Sequence, residues 1–388
     1  MTQQHPLKNN HFYLIFPNIF EFKGGVQVYS AFLLKSLQEL YPDANYDIFI
    51  KYDKNDSENL QNLQFLPHTK FHYFGHFPRL LQTILLAITI ILQGIWQRPS
   101  LVVSTHINYA IACYILQRIN GVPYWFIAHG TEVWSTQRKS HKLVLQGAEK
   151  VIAVSEYTKQ RLIKEQNIDA DKIHLLFNTF NSKQFQINSK PTYLLQRYNI
   201  TPNQPIILTV ARLGRMAKHK GYDQILHALV KIRQHIPNIH YILAGKGDDR
   251  LRIQTLITSL NLDDCVTLPG FLTDEELCDH YNLCDVFAMP SQGEGFGIVF
   301  LEALACGKPV LAGNQDGSVQ PLASGELGCL VDPNNVEDIA TKLIEIIQGH
   351  YLNKIVYNPE MLRKRTIELF ELNQFKTQLA ALLSSNLK

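Results

Sequence analysis

The feature that most constrains the fold is a regular alternation of short β-type runs with longer helical patterns along almost the whole chain. In the first half, apolar and aromatic runs such as HFYLIFP, YDIFIKY and LVVSTH are separated by stretches such as VQVYSAFLLKSLQELY. Strands that alternate with helices predict a mostly parallel sheet that is covered by helices on both faces. We therefore expect an α/β fold.

The alternation lapses once, near the middle of the chain. Between residues 182 and 205 Asn, Ser and Pro accumulate, and PIILTVAR then starts a second series of strands and helices. We predict two doubly wound, Rossmann-like domains, 1–186 and 187–388, and leave open that the last helix, about 367–388, packs back on the first. Ligands of such sheets bind beyond the carboxyl ends of the strands, so the domains are expected to face a central cleft.

Charge and cysteine content argue against several classes of partner. The 37 Lys and Arg residues and 34 Asp and Glu residues leave a formal charge of +3, far from the basic excess of a dedicated nucleic-acid binder. The six cysteines include no C-x-x-C pair, and no His/Cys cluster has the spacing of zinc ligands. No secretory signal is visible, so we expect a cytoplasmic enzyme that binds no nucleic acid.

The segment from Leu80 to Trp96 is nearly as apolar as a short membrane-spanning helix. It falls short of the ~20 residues that such a helix needs, and four polar residues interrupt it: Gln82, Thr83, Thr89 and Gln93. Because it separates two strand-like runs, FHYFGH and LVVSTH, we predict a buried crossover helix. Peripheral attachment to a membrane surface is the alternative that the sequence leaves open.

The stretch with the most chemical information is PSQGEGFGIVFLEALACGKP, residues 290–309. A strand runs into a glycine-rich loop, and a helix is predicted to begin near Gly297, so its free N–H groups would face a diphosphate or a sugar hydroxyl. Glu294 and Glu302 lie about two helical turns apart, and their carboxylates suit a ribose diol or a sugar. The alternative is that Glu302 is a solvated helix residue and Glu294 an acid favoured by the helix dipole.

This stretch resembles the donor-site signature of the retaining glycosyltransferases of family 4, which share the two-domain GT-B architecture, and the two glutamates match its E-x7-E. Further landmarks of that family occur in the same order: Gly24-Gly25, AHG at 128–130, VIAVSEYTKQRL, ARLGRMAKHKG, ILAGKGDD and VTLPGF. The resemblance covers nearly the whole chain. It implies metal-independent, retaining transfer from a UDP- or GDP-sugar to a glycan, lipid-linked or small-molecule acceptor, as in polysaccharide biosynthesis, without a cofactor.

The same resemblance implies roles for individual residues. The residues implied to be catalytic are His129, Arg212, Lys220 and Glu294. Those implied to bind the donor are Gly25, Arg212, Lys220, Phe271, Leu272, Glu294, Gly295, Phe296, Gly297, Ile298 and Glu302. Arg212 and Lys220 would hold the diphosphate, because a departing pyrophosphate needs such cations. His129 and Glu294 would face the sugar, Glu302 the ribose, and the turn at 270–272 the base.

For some positions the residues alone allow more than one assignment. Gly24 and His106, the latter ending LVVSTH, are acceptor-side candidates. The seven residues LGRMAKH separate Arg212 from Lys220, so Arg215 and Lys218 compete for the phosphate role. We prefer Lys220 because a glycine follows it and the next helix begins there. After KPVLAG, the segment 314–318 departs from the family pattern, which puts contacts there in doubt.

Other interpretations fit these residues less well. Asp169-Ala170-Asp171 has the D-x-D spacing of metal-dependent glycosyltransferases of another architecture, but it lies on the amino side of the strand KIHLLF, opposite the expected site. A nicotinamide oxidoreductase would need G-x-G-x-x-G after the first strand, where this chain has PNIFEFKGG. A GT-B nucleotide-sugar epimerase and a non-catalytic nucleotide-sugar binder are the closest alternatives.

Overall fold

The computed structural model describes residues 10–20, 24–54 and 66–384. These residues form two compact units. The first consists of the residues up to Asn178 together with those from Phe375 onwards, and the second is Thr179–Gln374. The boundary that we placed at residue 186 from the sequence lies slightly after this division. The chain returns to the first unit inside the segment 367–388, for which the sequence left such packing open.

The first unit is a parallel sheet with helices on both faces. Its strands are β1 His11–Phe16, β2 Asn45–Ile50, β3 Thr69–Tyr73, β4 Leu101–Ser104, β5 Tyr124–Ala128, β6 Lys150–Ala153 and β7 Ile173–Leu175. Its helices up to the boundary are α1 Gly25–Leu40, α2 Arg79–Gln97, α3 Ile107–Asn120, α4 Thr131–Trp134, α5 Lys139–Gly147 and α6 Glu156–Gln166. Within the described part, seven strands lie in the order β3-β2-β1-β4-β5-β6-β7.

The second unit repeats this plan. Its strands are β8 Ile206–Val210, β9 His240–Ala244, β10 Val266–Gly270, β11 Val286–Met289, β12 Val310–Gly313 and β13 Cys329–Val331. The remaining helices are α7 Thr192–Tyr198, α8 Tyr222–His235, α9 Arg250–Ser259, α10 Asp274–Leu283, α11 Ile298–Ala305, α12 Val336–Ile347, α13 Pro359–Phe370 and α14 Leu372–Ser384. Among the described residues, six parallel strands lie in the order β10-β9-β8-β11-β12-β13.

The central strands are buried on both faces, which explains their sequences. Every residue of β5 and β9 is buried, and the strand sequences YWFIA and HYILA are apolar almost throughout instead of alternating. Such runs are typical of parallel strands that helices cover on both sides. The prediction of a doubly wound α/β fold is confirmed.

Each sheet reverses its strand order at one place, between β1 and β4 in the first unit and between β8 and β11 in the second. The connections that leave two such strands diverge to opposite faces, which opens a crevice beyond their carboxyl ends where ligands bind. The segments that follow these four strands contain Gly24-Gly25, His106, Arg212 and residues 290–297. The folding pattern therefore brings sequence-predicted site residues to the crevice in both units.

The last helix, α14, completes the first unit. Its Phe375 ring packs edge-on against Tyr29 of α1, with ring centroids 5.5 Å apart. Lys376 forms an ion pair with Glu39 at 2.7 Å, and Lys150 donates to the carbonyl of Leu382 at 2.6 Å. The end of the described chain is thus fastened to the start of the same unit.

The helix α2 corrects the prediction of a buried crossover helix at 80–96. Only 22% of its most apolar 18-residue window is buried, and Leu80 and Trp96 are 85% and 92% exposed. Its buried residues share one face and are Gln82, Leu86, Ile90 and Gly94. The prediction was wrong because apolar residues occupy both faces of this helix and only one face packs on the unit. Among the described residues, it alone is long and apolar enough to cross a membrane.

Gly221, before α8, and Gly349, after α12, offer a matched test of how the second unit is packed. Their φ angles are +82° and +77°, but an added Cβ would lie 2.2 Å from the Pro290 carbonyl oxygen at Gly221 and would meet nothing within 4 Å at Gly349. Gly349→Ala should lower the free energy of unfolding by about 1 kcal/mol, and Gly221→Ala by about 3 kcal/mol, because only the latter adds a backbone collision to the strained φ. Urea denaturation followed by circular dichroism measures both, and equal losses would refute the close approach.

Candidate functional site

The candidate residues of the second unit lie beyond the carboxyl ends of β8 and β11. Arg212 is exposed in the segment after β8, and the glycine-rich loop after β11 leads into α11. Gly297 precedes this helix with a φ of +89°, and the first turn of α11 contains no acidic residue. This edge of the sheet therefore carries a cation and the free N–H groups of a helix N-terminus, both of which favour an anion.

Lys220 and Glu294 form an ion pair at the same edge. Lys220 is the last residue of a 3-10 helix, Arg215–Lys220, which ends at Gly221. The two side chains are 20% and 16% exposed, so water screens the pair only in part. The sequence suggested separate partners for them, the diphosphate and the sugar, and did not anticipate that they contact each other. An incoming phosphate would compete with Glu294 for the ammonium group.

The two competing cations of this 3-10 helix are placed differently. Arg215 and Lys218 are both exposed. The backbone N–H of Arg215 donates to Oδ1 of Asp248 at 2.9 Å. Lys218 lies near Asp249, whose pKa is lowered mainly by its hydrogen bonds from Arg252 and to a smaller extent by Lys218. Among the three cations of this described segment, only Lys220 pairs with Glu294.

Asp316 holds the glycine-rich loop, and the sequence analysis missed it. Its buried carboxylate accepts hydrogen bonds from the N–H of Glu294 at 2.7 Å and from the hydroxyl of Ser291 at 2.8 Å, and burial raises its pKa. The N–H of Gly317 donates to the Glu294 carbonyl at 2.8 Å, and a Cβ at Gly317 would lie 2.1 Å from the carbonyl oxygen of Gly295. The signal for this contact in the sequence was Asp-Gly-Ser at 316–318, within the segment that departs from the family pattern.

Glu302 is buried in α11, so the alternative of a solvated helix residue is wrong. The phenol of Tyr281 donates to its Oε2 at 2.7 Å, and the residue is 8% exposed. Burial raises the pKa of Glu302 to about 7, against the opposing effect of the Tyr281 hydrogen bond. A carboxyl in such a place is held in one orientation and forms strong hydrogen bonds with any hydroxyl that reaches it.

The remaining donor-side candidates offer a ligand either an exposed aromatic ring or backbone N–H and C=O groups. Phe271, after β10, is 48% exposed, and Nζ of Lys246 lies 5.0 Å from its ring centroid. An exposed ring at a strand end offers a surface on which a base can stack. Other candidates are largely buried, so a ligand would meet mainly their backbone groups: Leu272, Gly295, Phe296 and Ile298.

In the first unit, Gly24 and Gly25 begin α1. Gly24 is the N-cap, Gly25 is the first helical residue, and the first turn contains no acidic side chain. A Cβ at Gly25 would meet none of the described atoms within 4 Å. Packing of the described residues therefore does not require a glycine at this position, and none of them fills the space beside it.

His129, which follows β5, carries an unsatisfied buried nitrogen. Its backbone N–H and that of Gly130 donate to Oε1 of Glu132 at 2.6 and 3.1 Å, and its ring packs edge-on against Tyr29. Burial lowers the pKa of His129 to about 3, so the imidazole is neutral. Its Nε2 is buried without a hydrogen-bond partner among the described residues. Buried polar atoms are rarely left so, and a ligand would complete this one.

His106 lies at a cavity. As the N-cap of α3, it accepts the N–H of Asn108 on Nδ1 at 3.2 Å, and it stacks on Tyr109. Burial lowers the pKa of His106 to about 4. The cavity has a volume of about 410 Å³, and its lining includes His106, Asn108, Glu132, Arg138 and His141. The structure thus places this acceptor-side candidate in the lining of a cavity.

The D-x-D sequence is a helix cap. Oδ1 of Asp169 accepts the N–H of Asp171 at 3.3 Å at the start of a 3-10 helix, Ala170–Lys172, which precedes β7. The pair therefore lies on the amino side of the strand, opposite the crevice. Among the described residues, no group of three or more His, Cys, Asp or Glu side chains is placed to hold a metal ion.

Two family models match most of the chain. The model of Glycosyltransferase Family 4 matches residues 23–184, and that of Glycosyl transferases group 1 matches residues 194–361. The chain belongs to the group 1 glycosyltransferases. The boundary between the two matches falls close to the division between the two units.

The comparison with solved structures shows the GT-B fold of these glycosyltransferases, as the sequence predicted. Anabaena HepE in complex with UDP and glucose has a TM-score of 0.79 at 20% identity, covering 97% of this chain and 100% of that one. Sucrose-phosphate synthase from Thermosynechococcus elongatus has a TM-score of 0.80 at 22% identity, covering 98% and 99%.

A curated relative in this family is the GDP-mannose-dependent alpha-(1-6)-phosphatidylinositol monomannoside mannosyltransferase of Mycolicibacterium smegmatis. It is 29% identical over an aligned length of 230 residues, and the alignment covers 56% of this chain and 59% of the relative. The chain thus spans somewhat more than half the length of the curated relatives that it matches.

The raised pKa of Glu302 should make the stability of this glycosyltransferase pH-dependent. Its pKa rises from 4.5 to about 7 on folding, so between these values the folded state binds a proton that the unfolded state has lost. The free energy of unfolding should therefore fall by about 3 kcal/mol as the pH rises through this window. Glu302→Gln should remove this decline, whereas Glu360→Gln, at an exposed position, should keep it. Urea denaturation at pH 4.5 and 8 tests this, and identical pH profiles for wild type and Glu302→Gln would contradict it.

Proposed function

We propose that the protein is a retaining glycosyltransferase that transfers a sugar from a UDP- or GDP-sugar. The observation that carries the proposal is the Lys220–Glu294 ion pair at the switch point of the second sheet, at the same strand ends as Arg212 and the N-terminus of α11. The family supports it. So do two relatives, one solved with UDP and glucose and one named as GDP-mannose-dependent.

The second unit would act on the leaving group. When the bond between the anomeric carbon and the diphosphate oxygen breaks, negative charge develops on the diphosphate. Arg212, Lys220 and the free N–H groups of α11 would stabilise that charge. As Lys220 turns to the phosphate, its hold on Glu294 weakens, and the carboxylate becomes available to the hydroxyl groups of the sugar. The ion pair would thus couple binding of the diphosphate to binding of the sugar.

The first unit would bind the acceptor, which is a glycan, a lipid-linked molecule or a small molecule. We propose that the acceptor hydroxyl attacks on the face that the diphosphate leaves, so that the anomeric configuration is retained and a diphosphate oxygen takes the proton. With a pKa of about 3, the neutral imidazole of His129 is too weak a base to hold a proton at neutral pH, and we assign it a hydrogen bond to the sugar instead. A role in polysaccharide biosynthesis in the cytoplasm fits this chemistry.

Substitution of the cations in the second unit tests the proposed function. Thermal-shift screening of UDP-, GDP- and ADP-sugars identifies the donor, since a ligand at 100 times its dissociation constant adds about 2.7 kcal/mol of stability. Arg212→Ala and Lys220→Ala should then release nucleoside diphosphate on the order of a hundredfold more slowly, because each removes a charge partner worth ~3 kcal/mol.

The matched controls are Arg215→Ala and Lys218→Ala, which alter exposed cations of the same 3-10 helix and should lose much less activity. Circular dichroism verifies that all four variants fold. If Lys218→Ala loses most of the activity while Lys220→Ala remains nearly as active as the wild type, the phosphate role is assigned to the wrong cation. Four mild variants would overturn the leaving-group mechanism.

We also propose that catalysis needs no divalent metal ion, because Arg212 and Lys220 would take the role of the cation at the diphosphate. Activity should be unchanged by excess EDTA and by later addition of Mg²⁺ or Mn²⁺. Nucleoside diphosphate release measured in the three conditions tests this. A complete loss in EDTA that either metal restores would refute it, and Asp169→Asn with Asp171→Asn would then show whether the D-x-D sequence is the metal site.

A further inference from the structure

An apolar groove adjoins the cavity beside His106. It has a volume of about 140 Å³ and lies between α2 and α3, where Leu86, Ala87 and Ile90 face Ile111, Ala112 and Ile115. Asn108, in the first turn of α3, lines both the groove and the cavity. The polar space and the apolar space therefore lie on either side of a shared residue, Asn108, just beyond the carboxyl end of β4 in the first unit.

The polar space suits an anionic, hydroxylated group. Arg138 stands at its rim as the N-cap of α5, whose first turn has no acidic residue. The one carboxylate in its lining, that of Glu132, accepts the backbone N–H groups of His129 and Gly130. His141 bonds both Thr136 and Asn108, at 2.8 and 3.0 Å. A phosphate near Arg138 and hydroxyl groups near the two histidines would match this lining.

The groove has the length and the lining of a track for a hydrocarbon chain. From Asn108 to Ile115 it follows α3 for about 10 Å, since a helix rises 1.5 Å per residue. Gly94 keeps the two helices close beyond that point, because a Cβ there would lie 2.4 Å from the side chain of Leu116. A chain that leaves the cavity is thus directed outward along Ile115, which is 40% exposed.

An exposed apolar surface surrounds the outer end of the groove. We call it the α2–α3 apolar face, and its members are Leu80, Leu81, Ile84, Ile88, Leu92 and Trp96 of α2 with Ile115 and Ile119 of α3. Five of these residues follow one another at intervals of four along α2, which places them on one stripe of the helix. A soluble surface rarely exposes so many large apolar side chains together, and tryptophan favours the boundary between membrane and water.

The charges around this face complement an anionic membrane. From Leu66 to Thr131 the sequence contains no Asp or Glu. The same stretch contains four cations, and all of them are exposed: Lys70, Arg79, Arg98 and Arg118. Arg79 begins α2, Arg98 directly follows it, and Arg118 lies beside Ile119 on α3. Cations that border an apolar helical surface bind anionic headgroups while the apolar side chains enter the acyl region.

We propose that the acceptor is a phosphate-linked lipid. Its hydroxylated head group occupies the cavity beside His106 and Arg138, its hydrocarbon chain leaves along the groove, and the α2–α3 apolar face rests on the membrane that carries it. This inference depends on the proposed glycosyl transfer. A head-group oxygen forms the new bond to the anomeric carbon, the bond from that carbon to the diphosphate breaks, and the hydroxyl proton goes to the diphosphate.

Flotation with the full chain tests the membrane contact. Vesicles of phosphatidylcholine with 30% phosphatidylglycerol, a fraction on the order of that in anionic leaflets, should carry the wild type, and Ile88→Glu with Leu92→Glu should reduce the bound fraction at least tenfold. Leu251→Glu and Leu352→Glu alter residues that are 81% and 88% exposed outside this face, and they should float normally. If the wild type does not float and is a dimer that Ile88→Glu with Leu92→Glu dissociates, the face binds a second copy and the inference fails.

Transfer of labelled sugar to lipid tests the groove. The vesicles then contain either phosphatidylinositol or a polyprenyl diphosphate-linked sugar, which distinguishes the two sources of a phosphate-linked chain. Ala87→Phe, which fills the groove, and Ile115→Gln, which makes its outer end polar, should lower lipid transfer at least tenfold with an unchanged thermal shift by the donor. Ala381→Phe, at an exposed position of α14, is the matched control for added bulk.

The outcomes separate this inference from the proposed function. Donor binding without transfer to either lipid overturns the inference alone, as does equal transfer to the free head groups, inositol phosphate or a sugar phosphate. Absence of a thermal shift with any nucleotide sugar overturns the proposed function and, with it, the assignment of the lipid as acceptor.

Discussion

The reversal of strand order in each parallel sheet is the constraint on which both candidate sites depend. Arg212 and Glu294 are far apart in sequence, yet they follow β8 and β11, which are hydrogen-bonded neighbours. In the first unit, Gly25 and His106 likewise follow the adjacent strands β1 and β4. Because all strands are parallel, every carboxyl end lies at one edge, and polar residues placed after the strands converge without disturbing the apolar strands themselves.

The candidate donor-side loop shows how a buried acid outside the proposed catalytic set can fix a glycine-rich segment. Asp316 accepts the N–H of Glu294, and Gly317 approaches the loop so closely that no side chain would fit. These contacts hold the Glu294 backbone while its side chain pairs with Lys220. Preorganisation of this kind lowers the cost of arranging charges when a leaving group forms. In the proposed mechanism, the loop would therefore be ordered before the donor binds.

The sequence predicted most of the strands, their parallel arrangement and the position of the glycine-rich loop, because these follow from periodicity and local motifs, and it missed the short last strand, Cys329–Val331. It failed where only long-range packing decides. Composition did not reveal which apolar face of α2 would be covered, and a helix as short as Thr192–Tyr198 gives too few turns for a periodic signal. The contacts of Lys220 with Glu294 and of Tyr281 with Glu302 join side chains from different elements, so no local pattern indicated them.

The fastening of α14 to the first unit has a consequence for biosynthesis. Synthesis runs from the N-terminus to the C-terminus, so Thr179–Gln374 is made before Phe375 and the first unit stays incomplete until the chain of the second unit has been made. Phe375 packs against Tyr29, and Tyr29 packs against the ring of His129. The support for the imidazole that we assign to the sugar therefore depends on a helix that is synthesised after the whole second unit, and a chain cut before Phe375 would lack it.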